Sequence, residues 1–212
     1  EHKFPTALND SLDAVQWLAT QGAAHGLDIH CFSVAGDSVG GSMAAVLAIL
    51  AAHEPEKMPL ALLQQILIYP VTDAAVRYPS HQRFGIGHLL ETASLDWFYG
   101  HYQNDMAERY DWRFSPLRAP DLTALAPAFI ILAEFDPLLD EGLAYARRLQ
   151  ESAVPVEVEV RGGMIHDFLR MRALTPEAIR SREKVADILV RSRSLSGLPN
   201  FPPLESIHAD RP

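Results

Sequence analysis

"SVAGDSVGGSMAA", residues 33 to 45, sets Ser38 between Gly36 and Gly40, after the apolar run "CFSVA" (31–35) and before a run of small residues. The letters fit G-x-S-x-G, a match that arises by chance in about one chain in fifteen of this length at ordinary Gly and Ser usage. The flanks are more telling, because strand, sharp turn and helix in that order lift a serine hydroxyl clear of a sheet. The spacing predicts a strand over 31–35 that stops at Gly36 and a close-packing helix over 42–52. Glycine is expected at both 36 and 40, since a side chain at either would collide with the neighbouring strand or helix. The Val39 N–H, at the start of the helix, is expected to face an oxygen held beside Ser38. The plainer alternative is a glycine turn that only packs a helix onto a strand. A phosphate loop is disfavoured because no lysine follows the glycines.

The rest of the chain continues this grammar. "QILIYPV" (65–71) and "AFIILA" (128–133) are apolar on both faces, as central strands of a parallel sheet are. "VEVEV" (156–160) alternates and predicts an edge strand with one wet face. Helical stripes fall at Leu8, Leu12, Val15 and Leu18, closed by Gly22 to Gly26, and at Leu139, Leu143, Ala146 and Leu149. A last helix is predicted through Val185, Ile188 and Leu189, with Thr175, Pro176 and Glu177 as its cap and first turn. The alternation predicts a doubly wound, mostly parallel α/β sheet flanked by helices. The connection from Val71 to Ala128 is longer than a crossover needs and holds half of the chain's Phe, Trp and Tyr residues. Residues 77–114 are read as an excursion over the carboxyl ends of the strands, where α/β folds bind ligands. The alternative is a helical satellite on the sheet's flank. One catalytic domain is expected over 1–195, with an extended, proline-bearing tail over 196–212.

Bulk composition narrows the classes. The 212 residues, 48% of them hydrophobic, suffice for one sizeable core. A net charge of -9, from 27 acidic and 18 basic residues, disfavours nucleic acid, whose binding rests on phosphate neutralisation. No stretch approaches the roughly 18 apolar residues of a membrane helix. The single cysteine, Cys31, rules out an intrachain disulfide and suggests a reducing, cytoplasmic setting. Its neighbours Ile29, Phe32 and Val34 make it a buried structural thiol. "HEPEK" (53–57) lacks the second histidine of a zinc helix, so no metal site is expected.

A serine hydroxyl attacks well only when a base takes its proton and a third group orients that base. Of nine histidines, His2, His25, His30 and His53 precede or flank the serine unit, and His208 lies in the tail. His81, His88 and His101 fall in the aromatic excursion, where pocket-lining or surface roles are usual. His166 stands just past the final strand in "RGGMIHDF" (161–168), where Gly162 and Gly163 can present it over the sheet. It is the preferred base. For the acid, "AEFDPLLDEG" (133–142) leaves an apolar strand and turns at Asp136-Pro137. That position projects a carboxylate on Ser38's side and keeps the chain order serine, acid, histidine. Asp73, after the strand bearing Tyr69, is a rival. So is Asp140, although it better suits the first turn of the following helix.

"GDSVGG", "AEFDPLLDEG", "GMIHDF" and "EHKFPTAL", in this order, resemble the bacterial hormone-sensitive-lipase-like (family IV) esterases of the α/β-hydrolase fold, from Glu1 to about Ser192. The resemblance implies Ser38 as nucleophile, Asp136 as orienting acid and His166 as general base. It further implies hydrolysis of short- to medium-chain carboxylic esters through an acyl-enzyme, without a cofactor. The small-molecule ester is the expected partner. A non-catalytic binding protein on the same scaffold, an amidase and an acyltransferase are the alternatives.

Three departures carry weight. Val39 stands where the family usually has alanine, and its branched side chain is expected to narrow the site. Asp167 follows the histidine where glycine is common, so a second carboxylate is expected either to raise the pKa of the base or to form an alternative contact. The family's His-Gly-Gly oxyanion motif lies upstream of "EHKFP", whereas this sequence starts at Glu1. Without the first strands and cap, the strand at 31–35 would be an exposed edge inviting association, and only the Val39 amide would remain of the oxyanion donors. Pairing as a homodimer or with a separate N-terminal segment is the expectation.

Overall fold

Four strands, β1 (Phe32–Asp37), β2 (Leu62–Ile68), β3 (Ala128–Phe135) and β4 (Val156–Ile165), lie in chain order as one parallel sheet. The structure is a computed structural model that describes residues 1–195. The expected tail over 196–212 lies outside the described residues. Helix α1 (Thr6–Gln21) precedes the sheet, and α2 (Val39–His53) crosses from β1 to β2. Next come α3 (Pro79–Phe84) and α4 (Thr92–Tyr102) in the long excursion, α5 (Leu139–Glu151) between β3 and β4, and α6 (Pro176–Leu195) at the end.

Strand periodicity explains the two-sided burial. Leu67, Ile130 and Leu132 face α2 and α5, while Ile66, Ile68, Phe129 and Ile131 face the side covered by Ile188 of α6 and by Phe168. A strand covered on both faces reads as an unbroken apolar run, as these do. Helix α2 is buried at every position from Ala44 to Leu50. Its small residues let it lie close against β1 and β2. A third cluster sits over the carboxyl ends, where Leu95, Tyr99 and Phe114 of the excursion pack on Val71 and Leu138. Phe4 joins it, its N–H donating to the Tyr102 carbonyl at 2.7 Å.

Several boundaries differ from expectation for local reasons. Strand β2 ends at Ile68, not Val71, because Tyr69 takes φ +34° and Pro70 has no N–H for the ladder. Helix α2 starts at Val39, directly after the serine. Strand β4 is an edge among the described residues, but its glutamate face is not simply wet: Lys184 of α6 pairs with Glu157 at 2.5 Å and Glu159 at 3.4 Å. At the other edge, β1 pairs only with β2 among the described residues. Cys31 is half-buried rather than buried. The cap on α6 forms as its sequence implies, with Thr175 Oγ1 accepting the Glu177 N–H at 3.2 Å.

Candidate active site

The serine turn is built by close approach of backbones. Ser38 sits at φ +56°, ψ -121°, a strained conformation for a residue with a side chain. Its neighbours hold it there: its N–H donates to the Ile68 carbonyl at 2.9 Å, and its carbonyl accepts the N–H groups of Gly41 at 3.0 Å and Val71 at 3.2 Å. A Cβ on Gly36 would lie 2.1 Å from the Gly40 carbonyl oxygen, so this glycine is obligatory. The same expectation fails at Gly40, where the nearest atom to an added Cβ is Asp37 Oδ1 at 4.0 Å. The second demanding position is Gly41, whose Cβ would meet Pro70 Cβ at 2.7 Å. Helix α2 is crowded against the β2 exit one residue later than the motif suggests.

His166 follows the last residue of β4 and is buried. Its Nε2 lies 3.0 Å from Ser38 Oγ, and its Nδ1 lies 2.7 Å from Asp136 Oδ2. A carboxylate only accepts, so Nδ1 carries the ring hydrogen and Nε2 is left to accept from the serine. Asp136 is 1% exposed, and its Oδ1 accepts the Leu138 N–H at 2.9 Å. The Tyr69 ring packs on the imidazole with centroids 4.6 Å apart. Burial, then the nearby Asp37 and Asp167, raises the pKa of the Tyr69 phenol, which stays neutral. Gly163 (φ +73°) donates its N–H to Glu134 Oε2 at 2.7 Å, an anchor absent from the sequence reading.

The rival acids are engaged elsewhere. Asp73, 3% exposed, accepts from Arg118 Nε at 2.8 Å and Nη2 at 3.1 Å and from the Tyr78 hydroxyl at 3.0 Å. Asp140 lies in the first turn of α5, where it accepts the Ser80 N–H at 2.7 Å and pairs with Arg83 at 2.9 Å. In the excursion, His88 stacks on Phe135 and His101 packs on Trp97, with neither lining the cavity beside Ser38.

That cavity, about 700 Å³, opens at Ser38 and His166. Residues 77–114 supply much of its wall, including Leu95, Phe98, Tyr99, Tyr102 and Phe114. Val39 stands at its margin, 53% exposed, with its N–H at the first position of α2, where no intrahelical acceptor exists. Asp167 adopts φ +63°, a left-handed backbone that aspartate tolerates. The alternative contact to His166 is not made, since the ring nitrogen Nδ1 is given to Asp136. Asp167 instead faces Arg170 Nε at 3.8 Å, and Arg170 reaches Asp37 Oδ2 at 2.7 Å, which links the histidine turn to the serine turn across an exposed surface.

Glu141, which the sequence reading passed over, is completely buried in the first turn of α5. Its Oε1 accepts the N–H groups of Thr72 at 2.7 Å and Asp73 at 3.2 Å. Its Oε2 faces His81 Nε2 at 3.6 Å. Burial pushes the Glu141 carboxyl up to about 8 against the pull of the two amides. Burial, then Arg77, lowers the pKa of His81. One signal was available: Glu141 falls on the same helical stripe as the fully buried Leu138, Tyr145 and Leu149. Among the described residues, no three His, Cys, Asp or Glu side chains form a metal-ligand cluster, and no helix is long and apolar enough to cross a membrane.

Comparison with known proteins agrees with this architecture. Residues 1–170 match the family model described as alpha/beta hydrolase fold. Over 187 residues the chain is 46% identical to the ethyl acetate hydrolase of Pseudomonas putida, covering 88% of this chain and 58% of that protein. It is 35% identical over 170 residues to an arylesterase of Saccharolobus solfataricus, covering 80% of this chain and 54% of the relative. Among solved structures, EstE1, a thermostable carboxylesterase from a metagenomic library, superposes with a TM-score of 0.81 at 36% identity. The match covers 91% of this chain and 64% of that one. The chain thus spans little more than half the length of the relatives it matches.

Proposed function

Because this chain belongs to the alpha/beta hydrolase fold family, in its hormone-sensitive-lipase-like branch, we propose that it hydrolyses carboxylic esters with short to medium acyl chains through an acyl-enzyme on Ser38. The observation that carries this reading is the unbroken hydrogen-bond chain from Asp136 through His166 to Ser38, opening into an apolar cavity. His166 Nε2 takes the hydroxyl proton as Oγ attacks the acyl carbon. The same nitrogen then returns the proton to the departing alcohol. Asp136 keeps the hydrogen on Nδ1 and stabilises the imidazolium. Water repeats the sequence on the acyl-enzyme and releases the acid. The Val39 N–H is one donor to the developing oxyanion. These steps use groups of this chain, the ester and one water molecule. The similarity to an ethyl acetate hydrolase and an arylesterase supports the substrate class.

A series of p-nitrophenyl esters from acetate to octanoate tests the reading. Turnover that is highest for the shorter acyl chains is the expected result. Calorimetric binding of an ester with no release of p-nitrophenol would favour a binding protein on this scaffold. Product partitioning toward an added alcohol or amine, in preference to water, would favour acyl transfer.

A further inference from the structure

We infer that Glu141 is a positioning residue that sets the distance between the serine turn and the aspartate turn, so that the hydrogen-bond chain through His166 closes. The inference rests on the triad reading above and goes beyond it, since Glu141 touches neither the ester nor the imidazole.

The connection can be traced atom by atom. The Ser38 carbonyl accepts the Val71 N–H at 3.2 Å, and the Ser42 hydroxyl donates to the Val71 carbonyl, so the segment leaving β2 is fixed to the serine turn. The next two amides, Thr72 and Asp73, both donate to one oxygen of Glu141. The Thr72 hydroxyl donates to the Glu141 carbonyl at 2.8 Å, so the same residue is held by side chain and backbone. Glu141 belongs to the first turn of α5, and that turn is tied to the acid: the Leu139 N–H donates to the Asp136 carbonyl at 3.1 Å. Helix α3 closes the far side, with the Ser80 hydroxyl donating to the Pro137 carbonyl at 2.6 Å and His81 packed at the second oxygen of Glu141. Serine and aspartate stand on non-adjacent strands, β1 and β3, with β2 between them. Glu141 is where the β2 exit meets the β3 exit.

A carboxyl is an apt group for this position. One oxygen accepts two buried N–H groups, and removing it would leave both amides without an acceptor. A hydroxyl is too short to accept both from α5. A glutamine keeps the acceptor oxygen, whereas an aspartate is one methylene short. A misplacement of about 1 Å between reacting groups can cost on the order of 10²-fold in rate, so a loosened turn is visible in turnover before it is visible in substrate binding.

The test compares the full chain with Glu141→Ala, Glu141→Asp and Glu141→Gln on p-nitrophenyl acetate, with kcat referred to sites titrated by a phosphonate. The expected result is a 10- to 100-fold loss of kcat in E141A and E141D, KM within about twofold, and E141Q within about threefold of the parent in both constants. If E141A does not fold, E141D carries the comparison. A folded E141A or E141D with the parent's kcat overturns the inference, and so does an E141Q that falls as far as E141A. A parent that neither hydrolyses the ester nor takes up the phosphonate overturns the triad reading itself, an outcome distinct from the other two.

Discussion

Asp73 and Asp136 are nearly twins in position. Each follows the carboxyl end of a central strand, each is almost completely buried, and each precedes His166 in the chain. They differ in what surrounds them. Asp73 is clasped by Arg118 and the Tyr78 hydroxyl. Asp136 accepts one backbone N–H and keeps its other oxygen for the imidazole. A strand end supplies a place for a carboxylate; the neighbouring donors decide whether it anchors the fold or orients a base.

The largest expected effect separates the twins by activity. Asp136→Asn presents an amide that favours the wrong imidazole tautomer, and kcat should fall on the order of 10⁴-fold with little loss of stability. Asp73→Asn should leave kcat within about threefold while lowering unfolding free energy by about 1–3 kcal/mol, because Arg118 loses a buried charged partner. Steady-state kinetics beside denaturant titration checks both, and equal kinetic damage would erase the distinction.

The serine turn repeats the contrast with glycines. Gly36→Ala drives a Cβ into a backbone carbonyl and should destabilise by about 3 kcal/mol or more. Gly40→Ala fills open space in a helix and should stabilise by about 0.4–1 kcal/mol. Thermal melts of the two variants decide whether the surroundings matter more than the motif.

A third carboxyl sharpens the comparison through pH. Folded Glu141 holds its proton up to about pH 8, whereas the unfolded chain releases it near its ordinary value of 4.5. The native state therefore binds more protons across that window, and this group's contribution to stability declines as pH rises from about 4.5 to 8. Glu141→Gln cannot ionise, so the parent's Tm should drop relative to E141Q by several degrees between pH 5 and pH 8. A constant Tm difference would contradict the raised value. The smallest effect belongs to Arg170→Ala: its ion pairs are exposed, and the loss should stay within about 0.5 kcal/mol.

Much of this was legible in the chain, for identifiable reasons. The apolar runs around Ile66 and Ile130 could only be buried on both faces, and the strand, turn and helix around Ser38 fixed the direction of its hydroxyl. The order Ser38, Asp136, His166 then selected which loops to compare. What escaped were features set by partners far along the chain. The end of β2 depends on the positive φ of Tyr69, and the need for Gly41 arises from Pro70. Glu141 binds amides at 72 and 73 that its local pattern does not mention. Arg118 removes Asp73 from contention from 45 residues away. Periodicity reports which face a residue takes, not which distant donor it meets there.

The account stands on a serine made nucleophilic by one histidine, and covalent labelling reads that directly. Incubation with a fluorophosphonate followed by peptide mapping should give one adduct, on Ser38, with the rate of labelling at least about 10³-fold lower in His166→Ala. An adduct on another residue, or Ser38 labelled as fast without the imidazole as with it, would contradict the account.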